Sequence, residues 1–184
     1  YTANGTTLIG RKDSDIVQSE NGGLTWTKVV SLEGGFADIA YDTKRSRYLV
    51  ASQERLKVWE KGAWRTIETP RDQYGKQRID TVAVDPGNSD IVYGGGPRNI
   101  YTNGATIVRS TDGGATWENL TSGSGAHEVG WIRVHPTTHE AWLMGQCFGV
   151  WRLAPPNRLG AANPALANAP LAVAAPVLKA RIAG

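Results

Sequence analysis

Ser110-Thr111-Asp112-Gly113-Gly114-Ala115-Thr116-Trp117 echoes a phrase met earlier in the chain, Ser19-Glu20-Asn21-Gly22-Gly23-Leu24-Thr25-Trp26. Both copies have the form Ser-x-Asp/Asn-x-Gly-x-Thr-Trp, and the chemistry of that form is a tight β-hairpin. Asp112 or Asn21 can accept a hydrogen bond from backbone just downstream. The glycine pair takes positive φ at no steric cost. Trp117 and Trp26 offer large apolar faces to fold back beneath the turn. Two copies with the key positions filled point to a repeated architecture first and to chemistry only second.

Around these hairpins, three strand–turn–strand units align over residues 39–52, 82–95 and 132–145. Each has a short apolar strand, a polar turn opened by Asp42, Asp85 or His135, and a second apolar strand ending in small residues. The anchors recur at the ~40–50 residue period of a four-stranded propeller blade. The expected fold is therefore all-β: a β-propeller segment of about three four-stranded blades within residues 1–153. A part-blade fills 1–30, blades fill 36–68 and 78–121, and 129–153 is a blade lacking its outer strand. In the blade at 36–68 the hairpin is shortened around Gly62 but keeps Trp64. Helical periodicity is absent.

About three blades cannot close a ring, because closure is what removes exposed strand edges and typically takes ~4–8 blades. Another polypeptide, or the missing N-terminal part of a longer one, is expected to supply the remaining blades. The first residue, Tyr1, and a single methionine, Met144, fit a chain cut from a precursor. Residues 154–184 differ in kind: alanine and proline dominate, and no acidic residue follows Glu140. That composition reads as an extended arm lying on the propeller rim or on a neighbouring chain.

Composition excludes several functions. The net charge of +3 comes from scattered lysines and arginines without a basic, aromatic-laced run, which argues against a nucleic-acid partner. No stretch approaches the ~20 apolar residues of a membrane span. Cys147 is the single cysteine, so neither an internal disulfide nor a cysteine-based metal site is possible. His135 and His139 share one turn without a further ligand, so no metal and no cofactor is expected.

The paired hairpins, the phrase Val84-Asp85-Pro86-Gly87-Asn88-Ser89-Asp90-Ile91-Val92-Tyr93 and the ending Gly149-Val150-Trp151-Arg152 resemble the Asp-box, or bacterial-neuraminidase-repeat, propellers. Within that group the wording is similar to xyloglucan-cleaving glycosidases and, less closely, to sortilin-type receptors and photosystem assembly propellers. The resemblance covers roughly residues 6–153 and implies that the Asp-box is structural, on a hairpin away from the ligand face. It also implies an extracellular or periplasmic protein that binds and cleaves a polysaccharide. The alternative is a non-catalytic propeller used as a scaffold for assembly or adhesion.

Chemistry would then sit on the opposite rim, in the loops 31–35, 68–77 and 121–128 and in 52–57, 95–105 and 146–148. A glycosidase needs two carboxyl groups ~5–9.5 Å apart, and Asp72 with Glu128 form the best pair. A lyase would instead use Tyr101 or His127 as base with Arg98 as charge neutraliser. A sialidase needs an arginine triad, which cannot be placed. Tyr74, Arg98, Tyr101 and His127 are the expected substrate-binding groups, aromatic faces for sugar rings and charged donors for their oxygens. Gly94-Gly95-Gly96 opens the longest loop and is read as shaping a groove. Trp26, Trp64 and Trp117 are expected in the core, and Trp131, Trp142 and Trp151 packed into strands.

Overall fold

The structure, a computed structural model, describes residues 7–32, 37–52, 55–69, 78–99, 104–120, 128–145 and 149–156, with backbone alone at 98, 99 and 104. It is all-β, with no helix among the described residues. The first sheet holds β1 (Leu8–Lys12), β2 (Asp15–Ser19) and β3 (Thr27–Ser31). The second holds β4 (Asp38–Asp42), β5 (Arg47–Ser52), β6 (Arg55–Glu60) and β7 (Ala63–Ile67). The third holds β8 (Thr81–Val84), β9 (Val92–Asn99), β10 (Gly104–Ser110) and β11 (Glu118–Asn119), and the fourth β12 (Trp131–Val134), β13 (Ala141–Gly145) and β14 (Gly149–Leu153). Every sheet is an antiparallel meander, each strand paired with its sequence neighbour.

The sheets stack face against face, and three apolar layers fill the gaps. Ile16 and Leu32 meet Tyr48 and Val50 between the first and second sheets. Leu49, Leu56, Val58 and Ile67 meet Val82, Val92 and Val108 between the second and third. Tyr93 and Ile107 meet Ile132 and Leu143 between the third and fourth. A sheet inside such a stack must be apolar on both faces, so its strands lose the inside–outside alternation. β5 shows this directly, with Arg47, Tyr48, Leu49, Val50 and Ala51 all buried. The end sheets are covered on one face only. The exposed large hydrophobics, Leu24, Trp26, Trp131 and Val150, all lie on them. Trp26, expected in the core, is 46% exposed because no described sheet precedes it, and Trp131 is 61% exposed because none follows.

The two hairpins share one hydrogen-bond design. Ser110 Oγ accepts from the Gly114 amide at 2.8 Å and donates to Asp112 Oδ1 at 2.8 Å. Asp112 Oδ1 in turn accepts from the Ala115 and Thr116 amides at 2.9 and 2.8 Å, and Thr116 Oγ1 donates to Oδ2. In the first sheet Ser19 Oγ accepts from Gly23 at 2.8 Å, and Asn21 Oδ1 accepts from the Thr25 amide at 2.9 Å. Gly114 sits at φ 95° with Ile67 Cδ1 2.8 Å from where a Cβ would be, so this hairpin also docks on the second sheet. Trp117 packs into the same layer. In the second sheet, Lys61 and Gly62 at φ 52° and 78° make a two-residue turn of the primed kind.

At this same end of the second and third sheets, the inter-strand turns interlock through buried charge. Arg47 and Asp42 are 3% and 2% exposed, and Arg47 Nε donates to Asp42 Oδ2 at 2.9 Å. Ser89 Oγ, from the third sheet, also donates to Asp42, and Arg47 Nη1 reaches the Gly113 carbonyl at 3.2 Å. Asp85 repeats the anchor one sheet on: its Oδ1 accepts from the Gly87 amide at 2.7 Å and meets His139 Nδ1 of the fourth sheet at 2.7 Å. His135 plays the anchor part in the fourth sheet, where its Nδ1 accepts from the Thr137 and Thr138 amides at 3.2 and 3.1 Å.

The hairpins also differ in titration. Donation from the Thr116 hydroxyl, then from the Thr116 amide and the Ser110 hydroxyl, holds the Asp112 carboxyl down at about 2 against an ordinary 3.8. A depressed carboxyl contributes stability that is present above its unfolded pKa and is lost as pH falls through the folded value. Between pH 4 and 2 the Thr116 amide should therefore lose hydrogen-exchange protection while the Thr25 amide, bonded to the non-titrating Asn21, keeps its own. Asp112→Asn should erase the difference; equal loss at both hairpins would refute the assignment.

Candidate functional site

The strands β4, β8 and β12 are the innermost of their sheets, and their first residues meet at one end of the stack. As edge strands they carry amides that no neighbouring strand satisfies, and a side-chain relay fills the need. The Ile132 amide donates to Thr81 Oγ1 at 3.2 Å, and Thr81 Oγ1 donates to Asp38 Oδ2 at 2.7 Å. Asp38 Oδ2 also accepts from the Val82 amide at 3.2 Å, while Oδ1 accepts from the Ile39 amide at 2.9 Å. Arg133 Nη1 stands 3.5 Å from Asp38 Oδ2. At the same end Trp131 leaves its indole exposed and Arg78 pairs with Asp80 at 2.8 Å. The inner strands border a cavity of about 190 Å³ lined by Ile9, Ile39, Tyr41, Val84, Arg133 and Val134 among others.

Of the groups singled out from sequence, Glu128 lies here, half-buried and three residues before β12, with its carbonyl 2.2 Å from where a Cβ on Gly145 would be. Arg98 takes its backbone place near the end of β9, opposite Ala105 of β10. Asp72, Tyr74, Tyr101 and His127 lie outside the described residues.

The glycine run is corrected. Gly94, Gly95 and Gly96 belong to β9, which extends to Asn99, and are a strand rather than a groove-forming loop. The reason is space. A Cβ on Gly95 would lie 2.7 Å from Val129, and one on Gly96 would lie 1.9 Å from the Arg78 carbonyl. The run lets the Val129 side chain and the Arg78 backbone approach the strand. Asp38, Thr81, Arg133 and Trp131 were missed as neighbours of one another. Asp38, Thr81 and Trp131 occupy the same repeat position, one residue ahead of Ile39, Val82 and Ile132, and carrying the alignment one residue further would have exposed it. Among the described residues, no group of three or more His, Cys, Asp or Glu could hold a metal. No helix among them is long and apolar enough to cross a membrane.

Chemically, this end offers one exposed aromatic face, a carboxylate–guanidinium pair and a further glutamate, a set suited to oxygen-rich ligands. The stack of meanders has solved counterparts. The chain is similar to the GH74 xyloglucanase from Xanthomonas campestris at TM-score 0.60 and 20% identity, over 79% of this chain and 25% of that one. An ancestral GH74 enzyme matches at TM-score 0.58 and 16% identity, over 82% of this chain and 22% of the other. YCF48 bound to D1 peptide matches at TM-score 0.52 and 14% identity, over 82% and 48% of the respective chains. The fold is a β-propeller segment. The chain spans about a quarter of the xyloglucanase it matches. No protein-family model and no curated protein matches it.

The relay makes a stability prediction. Thr81 is fully buried, so Thr81→Val strands the Ile132 amide and should cost about 1–3 kcal/mol, whereas Thr81→Ser keeps the oxygen and should cost under about 1 kcal/mol. Urea unfolding midpoints check this; a loss in Thr81→Ser with none in Thr81→Val would show that the threonine acts through its methyl group alone.

Proposed function

We propose that this segment is part of an Asp-box propeller of an extracellular or periplasmic carbohydrate-active protein, which binds a polysaccharide and cleaves it. The observation that carries the reading is the gathering of Glu128, the Asp38–Arg133 pair and the exposed Trp131 at one end of the inner strands. The likeness in fold to two GH74 enzymes supports it. In this reading Asp72 and Glu128 are the carboxyl pair, one donating a proton to the leaving oxygen and the other acting as base or nucleophile. Tyr74, Arg98, Tyr101 and His127 hold the sugars. Residues 36–68 and 78–121 are whole blades, 1–30 and 129–153 parts of two more, and 154–184 an arm. Another polypeptide supplies the remaining blades.

A scaffold reading is favoured by a different observation, the apolar end faces around Trp26 and Trp131, which suit protein partners. Two fold neighbours fit it: YCF48, solved with a peptide, and a chain of the nidogen–laminin complex at TM-score 0.51 and 13% identity.

Asp72→Asn and Glu128→Gln, assayed on xyloglucan and other plant polysaccharides in the assembled protein, separate the two. The enzymatic reading expects each to lower turnover by roughly 10²–10⁴-fold with sugar binding retained. Full activity in both variants would end it for these residues.

A further inference from the structure

The first hairpin holds an amide where the second holds a carboxylate. Asn21 and Asp112 fill the same position and are both exposed, and each is followed by a glycine at positive φ, 71° at Gly22 and 75° at Gly113. That backbone conformation favours a residue without a side chain, so the turn itself sets glycine next to asparagine. With no Cβ in the way, the nitrogen of such a glycine is the least hindered of backbone nitrogens in attacking the side-chain amide before it. What surrounds Asn21 favours that attack. Its Oδ1 accepts from the Thr25 amide at 2.9 Å and from the Ser19 hydroxyl at 3.0 Å. Two donors on one carbonyl oxygen polarise it and stabilise the negative charge that grows there when its carbon is attacked. On the other side Nδ2 donates to Thr25 Oγ1 at 2.9 Å, so a hydroxyl stands beside the nitrogen that must leave.

We propose that Asn21–Gly22 is a self-modification site, at which the asparagine becomes aspartate and the first hairpin acquires the hydrogen bonds of the second. The Gly22 nitrogen attacks Asn21 Cγ, the Cγ–Nδ2 bond breaks, and the proton lost by Gly22 leaves with the amide as ammonia. A five-membered cyclic imide then joins the two residues. Water opens that ring at one of its two carbonyl carbons. Attack at Cγ restores the main chain and leaves aspartate. Attack at the backbone carbonyl carbon leaves an isoaspartyl link, with one extra atom in the main chain. The net change consumes one water and releases one ammonia, with no change of oxidation state. The Thr25 and Ser19 donors sit on the oxygen of Cγ, so they favour the first opening. The aspartate then finds its partners in place. Asp112 shows the product: it accepts from the Ser110 hydroxyl and the Thr116 amide at 2.8 Å each, and Thr116 Oγ1 donates to its second oxygen. At residue 21 only the Thr25 hydroxyl must turn, from accepting to donating. An isoaspartyl link instead lengthens the loop between the paired residues Gln18 and Thr27.

The intact protein and a synthetic peptide of segment 17–28 are incubated at mildly alkaline pH. Residue 21 is followed by mass spectrometry, with fragmentation that separates aspartate from isoaspartate. In the protein it should gain about one dalton. Its ratio of aspartate to isoaspartate should exceed the peptide's by about tenfold or more, because the peptide lacks the fixed donors. Asparagine that persists in the protein while the peptide converts, or the same product ratio in both, overturns the site. The converted protein is then compared with Asn21→Asp by residue-resolved amide exchange. In both, the Thr25 amide should be protected at neutral pH and lose that protection in acid, as a carboxyl held low by hydroxyl and amide donors does at Asp112. A Thr25 amide left unprotected at neutral pH, or one whose protection survives acid, overturns the assigned product.

Discussion

Burial on both faces is the constraint from which the rest of this structure follows. A sheet that is polar on one side can face water and stand at the surface of a domain. A sheet such as the second one here cannot, because the successive residues from Arg47 to Ala51 of β5 are all buried whichever way they point. Such a sheet is stable only between two others, and the stack must either close on itself or end in exposed apolar faces. This stack ends at Leu24 and Trp26 on one side and at Trp131 and Val150 on the other. The same side-chain class that makes a core in the middle is left exposed at the ends.

Apolar layers alone would let neighbouring sheets slide, and the buried polar contacts restrict that. Asp42 is held by Arg47 from its own sheet and by Ser89 from the next, while Asp85 meets His139 across the following gap. Pairs of this kind often add little net stability, since desolvation offsets their attraction, but leaving one partner alone is costly. Their contribution here is register. At the other end of the inner strands the Asp38–Thr81 relay fixes the same sheets in the same register. The candidate site is thus set on backbone pinned at both ends, which is what a site built from several sheets requires.

Much of the fold could be read from residues because its determinants are local and repeated. The Ser-x-Asp-x-Gly-x-Thr-Trp hairpins carry their hydrogen bonds within eight positions, and the Asp42, Asp85 and His135 anchors each serve their own turn. The Gly94–Gly96 run misled for the opposite reason. Its glycines answer to Val129 and Arg78, which are far along the chain and close only after the sheets stack. The exposure of Trp26 was likewise illegible, because Trp26 and Trp117 close the same motif and only Trp117 has a sheet to lie against. Of the candidate site, Glu128 and the backbone of Arg98 are placed, whereas Asp72, Tyr74, Tyr101 and His127 lie outside the described residues. The relay through Asp38 and Thr81 joins three sheets, and no single stretch of sequence contains it.

If both end faces are interfaces, the chain should not be found alone. Native mass spectrometry of the purified protein tests this most directly. A species heavier than the 19.8 kDa chain is expected, holding either further copies or a second polypeptide. A single 19.8 kDa species that unfolds cooperatively, with Trp26 and Trp131 still exposed to solvent, would contradict it.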